Sequence, residues 1–308
     1  MLWYSDQIVH IEQIPSRESH ESNIDPPLPQ SLNDSLKEQG VRSLYLHQEQ
    51  AISACRVGQN IAVSTAAASG KSLCYNLPVL ESLLQDPASR ALYLFPTKAL
   101  AQDQLRSLRS IIPKDSRIKA DVFDGDTPFK SRADIRRGSQ VVISNPDMLH
   151  LGILPNHRSW SRFFRGLKYV IVDEAHVYSG IFGTNVHYII KRLKRICDNK
   201  LQFVAASATL DDAQKFCQQL FGEKMKIIHG SGKKGKTDFV LIINIFSFFH
   251  NHNFLPKSSL PFASCMLMSS DCNSLIICFL QLSFFPFFVW PIFVADNAIL
   301  TKRSSGYL

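Results

Sequence analysis

The sequence predicts an α/β fold, a mostly parallel sheet with helices on both faces over about residues 40–230, followed by a hydrophobic, low-complexity tail. Stretches of strand length recur at residues 61–63, 90–95, 118–122, 140–144, 169–172 and 201–205, with stretches of helical length between them, and 61–63 and 169–172 are apolar throughout. Runs that are apolar at every position, not at alternate ones, are what a parallel sheet covered on both faces requires. The first run leads into small residues followed by Lys-Ser, and the fifth ends in an acidic pair. In a doubly wound sheet such strand ends are where ligands bind.

Residues 1–39 read as an entry segment, partly flexible, and residues 15–35, with Pro26, Pro27 and Pro29 among polar neighbours, as an exposed lead-in. Residues 44–52 (LYLHQEQAI) open the ordered domain with a weak apolar face of Leu44, Ala51 and Ile52. Gln48 stands just upstream of the first strand, where its amide can give and accept one hydrogen bond each at an adenine edge. A surface glutamine is the alternative.

Residues 60–72 (NIAVSTAAASGKS) are a strand, a tight loop and a helix start. In such a loop the backbone N–H groups around Ser69 and Gly70 turn toward a phosphate, with the helix N-terminus adding partial positive charge. Lys71 is then placed to reach the β- and γ-phosphates and Ser72 to ligate Mg²⁺. The phosphate-loop pattern asks for glycine at the position held by Thr65, so an ordinary small-residue loop is the competing reading of this stretch alone. About a hundred residues later comes YVIVDEAH, residues 169–176. Asp173 is placed to hold Mg²⁺, commonly through water, and Glu174 to orient or deprotonate an attacking water. Together the two stretches read as a site for Mg²⁺ and ATP.

Between them, three runs end in polar loops: Pro96, Thr97 and Lys98; Phe123 to Thr127, turning at Gly125; and Asn145, Pro146 and Asp147. Thr97, Lys98, Thr127 and Asn145 would line one sheet edge and hold the phosphates of a nucleic-acid single strand. Helix capping by Thr97 and Asn145 accounts for those residues equally well. Residues 158–168 are basic and aromatic, and Trp160, Phe163 and Phe164 fit a short helix packed on the sheet better than a base-stacking surface. Ile189, Ile190, Leu193 and Ile196 recur at helical spacing, with Lys191, Arg192, Lys194 and Arg195 as a solvated face. The last run closes in Ser207 and Thr209, hydroxyls placed to bond the acidic stretch and, with His176, to pass the state of the γ-phosphate to neighbouring loops. Asp211 and Asp212 cap the next helix, and residues 230–235 read as a flexible link.

The 308 residues carry 34 Lys and Arg against 26 Asp and Glu, a balance that permits a nucleic-acid partner without requiring one. The seven cysteines form no CxxC pair, which fits a reducing compartment and gives no zinc-finger spacing. The N-terminus lacks the basic and apolar regions of a secretory signal. After Asp238 the charged residues are Lys257, Asp271, Asp296, Lys302 and Arg303, while 12 of the 21 phenylalanines lie there. Residues 231–308 are therefore read as a Phe-rich tail, disordered or translated from noncoding sequence. A membrane span over residues 275–295, interrupted by Gln281, Pro286 and Pro291, is the less favoured reading.

With these residues in hand, the chain resembles the superfamily 2 DExH-box helicases. It is most similar to the mitomycin repair factor-like group of 3′-to-5′ DNA repair helicases, whose complete members carry a C-terminal cysteine-rich zinc-binding domain. The resemblance runs from about His10 to about Gly222. STAAASGKS resembles the group's Walker A loop, where small residues stand in place of glycine. LFPTKALAQDQ (94–104), FDGDT (123–127) and SNPDMLH (144–150) resemble motifs Ia, Ic and Ib, DEAH (173–176) motif II, and SAT (207–209) motif III. Ser179 stands where relatives have arginine. The resemblance implies a RecA-like P-loop NTPase domain, ATP and Mg²⁺ as cofactors, DNA and repair proteins as partners, and a nuclear location. It also implies a second RecA-like domain that supplies arginine fingers. Nothing after Asp238 resembles that domain, so this chain alone is expected to be inactive or nearly so. A non-catalytic ATP- or nucleic-acid-binding regulatory module is the alternative.

Overall fold

The computed structural model describes residues 8–14, 21–65, 69–197, 200–208, 212–230, 237–244, 262–269 and 275–281. The chain divides into two compact units, residues 19–232 and a second unit that joins residues 1–18 to 233–308.

In chain order the elements are β1 (Ile8–Ile14), β2 (Glu21–Ser22), α1 (Gln30–Glu38), β3 (Leu44–Tyr45), α2 (Leu46–Arg56), β4 (Ile61–Thr65) and α3 (Lys71–Gln85). Then follow β5 (Arg90–Leu94), α4 (Lys98–Ile111), β6 (Ala120–Val122), α5 (Phe129–Gly138), β7 (Val141–Ser144), α6 (Pro146–Met148) and a π-helical turn, Leu149–Ile153. The remainder of the first unit is α7 (Ser161–Gly166), β8 (Leu167–Val172), a 3-10 turn (Ala175–Val177), α8 (Gly180–Ile196), β9 (Gln202–Ser207), α9 (Ala213–Phe221) and β10 (Lys226–Gly230). The second unit adds β11 (Thr237–Asn244), β12 (Phe262–Ser269) and β13 (Leu275–Gln281) to β1.

The first unit is built on a seven-stranded sheet, in the order β10-β4-β9-β8-β5-β7-β6. Every pairing in it is parallel. Side chains on a strand alternate between faces, and the two cores divide accordingly. Ile61, Val63, Ala91, Tyr93, Val141, Ile143, Tyr169, Ile171 and Val204 pack toward α1 to α4. Ala62, Leu92, Leu94, Val142, Val170, Val172, Phe203 and Ala205 pack toward α5, α7, α8 and α9. Both faces are covered, which is why residues 61–63 and 169–172 read as unbroken apolar runs instead of alternating ones.

Trp160, Phe163 and Phe164 are buried, with Trp160 0% exposed. The indole meets Phe123 and Phe163 edge-on, at centroid distances of 4.8 and 5.6 Å. Trp160→Ala should therefore destabilise the protein by about 3–5 kcal/mol in urea denaturation, whereas a surface stacking residue would cost little stability.

Ordered packing begins upstream of residue 40. Pro26 and Pro27 are exposed, but Leu28, Leu32 and Leu36 are buried at a four-residue spacing, and Pro29 sits at the N-cap of α1. The exposed lead-in read for residues 15–35 thus gives way to a docked helix from Gln30, because an apolar stripe of only three leucines is masked by the prolines beside it. Gly230 lies in β10, and a Cβ there would come within 2.4 Å of His47 Cβ. Residues 231–235 of the expected link are outside the described residues. Burial pushes the Cys55 thiol up to about 12 and that of Cys217 to about 11, so both stay protonated at neutral pH.

The second unit is an antiparallel sheet in the order β1-β11-β12-β13, with Ile14 opposite Thr237, Phe239 opposite Leu267 and Cys265 opposite Cys278. The described parts of the Phe-rich tail are thus strands. Leu275–Gln281, the start of the membrane-span reading, is one of them, and no helix among the described residues is long and apolar enough to cross a membrane. Residues 282–295 lie outside the described residues.

Candidate nucleotide site

β4 ends at Thr65, whose hydroxyl lies 2.6 Å from that of Ser69 across the loop. Both residues are buried, so the threonine that departs from the glycine pattern braces the loop. Ala66 to Ala68 are outside the described residues. Gly70 has φ +74°, a conformation that favours glycine, and a Cβ there would lie 2.5 Å from Gln48 Nε2 and push that amide aside. Lys71 and Ser72 follow as the first residues of α3, at its positive end.

Two side chains from α2 hold the loop from behind. His47 Nε2 lies 3.1 Å from the Ser69 carbonyl oxygen, and Gln48 Nε2 donates to the Gly70 carbonyl at 3.0 Å. Burial lowers the His47 pKa, more than the Ser69 hydrogen bond raises it, which favours a neutral ring with its proton on Nε2 facing the carbonyl. Gln48 Oε1 accepts from Tyr45 N at 2.9 Å. These bonds use one N–H and one lone pair of an amide that has two of each. The structure therefore places Gln48, 2% exposed, as a brace of the phosphate loop.

The acidic pair stands at the end of β8, two strands from the loop. Asp173 N donates to Leu94 O at 3.1 Å, which anchors the strand end to β5. The Asp173 carboxylate accepts from Tyr75 Oη at 2.9 Å and from Glu174 N at 2.8 Å. It is 7% exposed, and burial pushes its pKa up to about 6 against the lowering effect of the Glu174 N–H and Tyr75 hydrogen bonds and of the Lys71 charge. Tyr75 lies one turn beyond Lys71 on α3, so its bond to Asp173 turns the lysine-bearing face of that helix toward the acidic pair. Glu174 has φ +48°, a left-handed conformation that costs a residue with a Cβ on the order of 1 kcal/mol. His176 Nδ1 lies 3.3 Å from Glu174 Oε2 and 3.1 Å from Ser207 Oγ, joining the ends of β8 and β9. Thr209 lies outside the described residues. Among the described residues no three His, Cys, Asp or Glu side chains converge. The Ser72 hydroxyl and the Asp173 carboxylate are oxygen donors, the kind Mg²⁺ takes one or two of beside phosphates and water.

The remaining predicted residues follow β5, β6 and β7, at the same edge of the sheet. Thr97 Oγ1 accepts from Leu100 N at 3.3 Å and Asn145 Oδ1 from Met148 N at 2.7 Å, so both cap helices. Thr97 is nonetheless exposed and Asn145 half-buried. Lys98 Nζ is paired with Asp126 Oδ2 at 2.7 Å. Thr127 is buried, its hydroxyl accepting from Asp124 N at 2.9 Å. Its side chain shapes the loop from within, and only the loop backbone and its neighbours face outward. His47 and Tyr75 are the residues that reading the sequence missed. Tyr75 carried a signal, its four-residue spacing from Lys71; His47 carried none. A cavity of about 310 Å³ lined by Asp86, Ser89, Arg165 and Lys168 lies at the opposite edge, where β5 and β8 begin, away from all of these residues.

A phosphate loop between strand and helix, facing an acidic pair at a nearby strand end of an all-parallel sheet, defines a RecA-like P-loop domain. The chain belongs to the DEAD/DEAH box helicase family, whose model matches residues 45–216. It is 42% identical over 245 residues to the uncharacterized ATP-dependent helicase YprA of Bacillus subtilis, covering 77% of this chain and 32% of that protein. It is 41% identical over 250 residues to the ATP-dependent helicase hrq1 of Schizosaccharomyces pombe, covering 77% of this chain and 24% of the relative. The crystal structure of the helicase MrfA bound to DNA and AMPPNP is similar at a TM-score of 0.71 and 41% identity, over 76% of this chain and 34% of that one. The chain thus spans a third or less of the length of the curated relatives named here.

Proposed function

We propose that this chain is the ATP-binding half of a 3′-to-5′ DNA helicase acting in DNA repair, and that by itself it hydrolyses ATP slowly or not at all. The observation that carries the reading is the Tyr75–Asp173 bond, which turns the Lys71 end of α3 toward the acidic pair. MrfA, similar over three quarters of this chain, was solved with DNA and AMPPNP together. When bound, Mg²⁺ and ATP supply the phosphoanhydride and the metal charge that offsets its oxygens. Lys71 then faces the β- and γ-phosphates, Ser72 and Asp173 hold the metal, and Glu174 orients water. Ser69 and Gly70 offer backbone N–H groups, and Gln48 its remaining amide groups to adenine. Thr97, Lys98, Asn145 and the loop shaped by Thr127 hold a DNA single strand, while His176, Ser207 and Thr209 pass the nucleotide state between strand ends. An arginine finger is worth a factor of about 10³ to 10⁵ in rate, so one RecA-like domain without a second is slow.

The test compares the 308-residue chain with a chimera in which the remainder of a related helicase follows residue 230. DNA-stimulated hydrolysis by the chimera supports the helicase reading. A folded chimera that binds ATP and stays silent with DNA would establish the regulatory module instead.

A further inference from the structure

We infer that Phe129 and the exposed face of α5 form a base-stacking platform for single-stranded nucleic acid, an inference that rests on the strand-track reading above. Phe129 is 90% exposed, the most exposed of the large apolar side chains described. It opens a helix that buries only Ile135 and otherwise carries Lys130, Arg132, Arg136 and Arg137 against Asp134. A docking surface for an apolar protein segment would present several apolar neighbours, whereas α5 presents one aromatic ring among cations. A π-face flanked by positive charge is what a base and its phosphates require.

The start of α5, which carries Phe129, is tied to the strand-end loop through Arg132. Arg132 Nε donates to Thr127 O at 3.0 Å, and its Nη2 to Asp124 O at 3.2 Å and to Gly125 O at 3.3 Å. Its guanidinium lies 5.3 Å from the centroid of the Phe123 ring, which Trp160 in turn packs at 4.8 Å. The first turn of α5 is therefore pinned to the loop that holds Thr127, and a Cβ on Gly125 in that loop would stand 3.7 Å from Lys98 Nζ. Along α5, Ala133 and Arg136 follow Phe129 at spacings of four and seven residues, on the same face. A base stacked on Phe129 would thus pass the small Ala133 and bring its phosphates toward Arg136, about 10 Å along the helix axis.

The experiment measures anisotropy of a labelled oligothymidylate, and of an abasic oligonucleotide of equal length, with the 308-residue chain over a salt series. Phe129→Ala is expected to weaken oligothymidylate binding about 5- to 100-fold with an unchanged salt slope, and Phe129→Trp to keep wild-type affinity. The abasic strand should bind wild type and Phe129→Ala alike. Equal oligothymidylate affinity of wild type and Phe129→Ala, or an equal loss on both strands, overturns the platform. Unchanged DNA binding with self-association lost in Phe129→Ala overturns it in favour of a protein contact. Lys98→Ala tests the underlying track separately, by weakening both strands and lowering the slope. If the wild-type chain binds neither strand, the track reading falls and the platform with it.

Discussion

Lys71→Ala is expected to abolish measurable binding of a fluorescent ATP analogue, with affinity falling by about 10- to 100-fold or more as a charge-assisted contact to the phosphates is removed. Lys71 is the first residue of α3, and the carbonyls of the two residues before it are fixed by His47 and Gln48. The backbone of the loop therefore keeps its shape in the variant, and the loss reports the side-chain charge alone. The lysine is half-buried, so the melting temperature without nucleotide should stay close to wild type. Equal titration curves for the two proteins would remove the phosphate-loop assignment.

Asp173→Asn is expected to have two opposite effects. Metal dependence of nucleotide binding is lost, because an amide replaces the buried carboxylate proposed to hold Mg²⁺. Stability rises. The unfolded carboxyl releases its proton near pH 3.9, whereas the folded one holds it to about 6 because burial disfavours the charge. Between those values the unfolded chain binds fewer protons than the folded one, so this group's contribution is full below about pH 4 and declines as pH rises to about 6. Above that window the buried charge costs on the order of 3 kcal/mol, and the neutral asparagine escapes it. The amide also suits its neighbours, since it can accept from Glu174 N and donate to the Tyr75 hydroxyl. Urea denaturation from pH 4 to 8 should show the variant pulling ahead of wild type across this window without magnesium. A constant difference with pH would show that Asp173 is not a desolvated acid. An acid kept at such a cost to the fold is what a metal-binding position entails, the ion supplying the charge that burial withholds.

The sequence by itself determined strands such as β4 and β8, because a strand covered on both faces is apolar through its middle, as residues 61–63 and 169–172 are, and its polar residues stand at its ends. It also determined the phosphate loop and acidic pair as residue types, since Gly70, Lys71, Ser72, Asp173 and Glu174 are dictated by local chemistry at strand ends. Trp160, Phe163 and Phe164 were legible as core by their spacing. The edge strand β10 was not, because its exposed and half-buried positions break the apolar run on which strand recognition depends. Only the tertiary structure decided what holds the site. The Tyr75 hydroxyl meets a carboxylate 98 residues away, and Gln48 meets the loop carbonyl of Gly70 22 residues on. Such contacts depend on the order in which parallel strands are laid down, β4 beside β9 and β9 beside β8, which no local pattern encodes. The same holds for Thr127, whose residue type suits an exposed phosphate contact but whose hydroxyl the folded loop turns inward. Ile8–Ile14 and Thr237–Asn244 likewise pair across most of the chain, and hydrogen bonding between strands, which any sequence can make, leaves no mark on either segment alone.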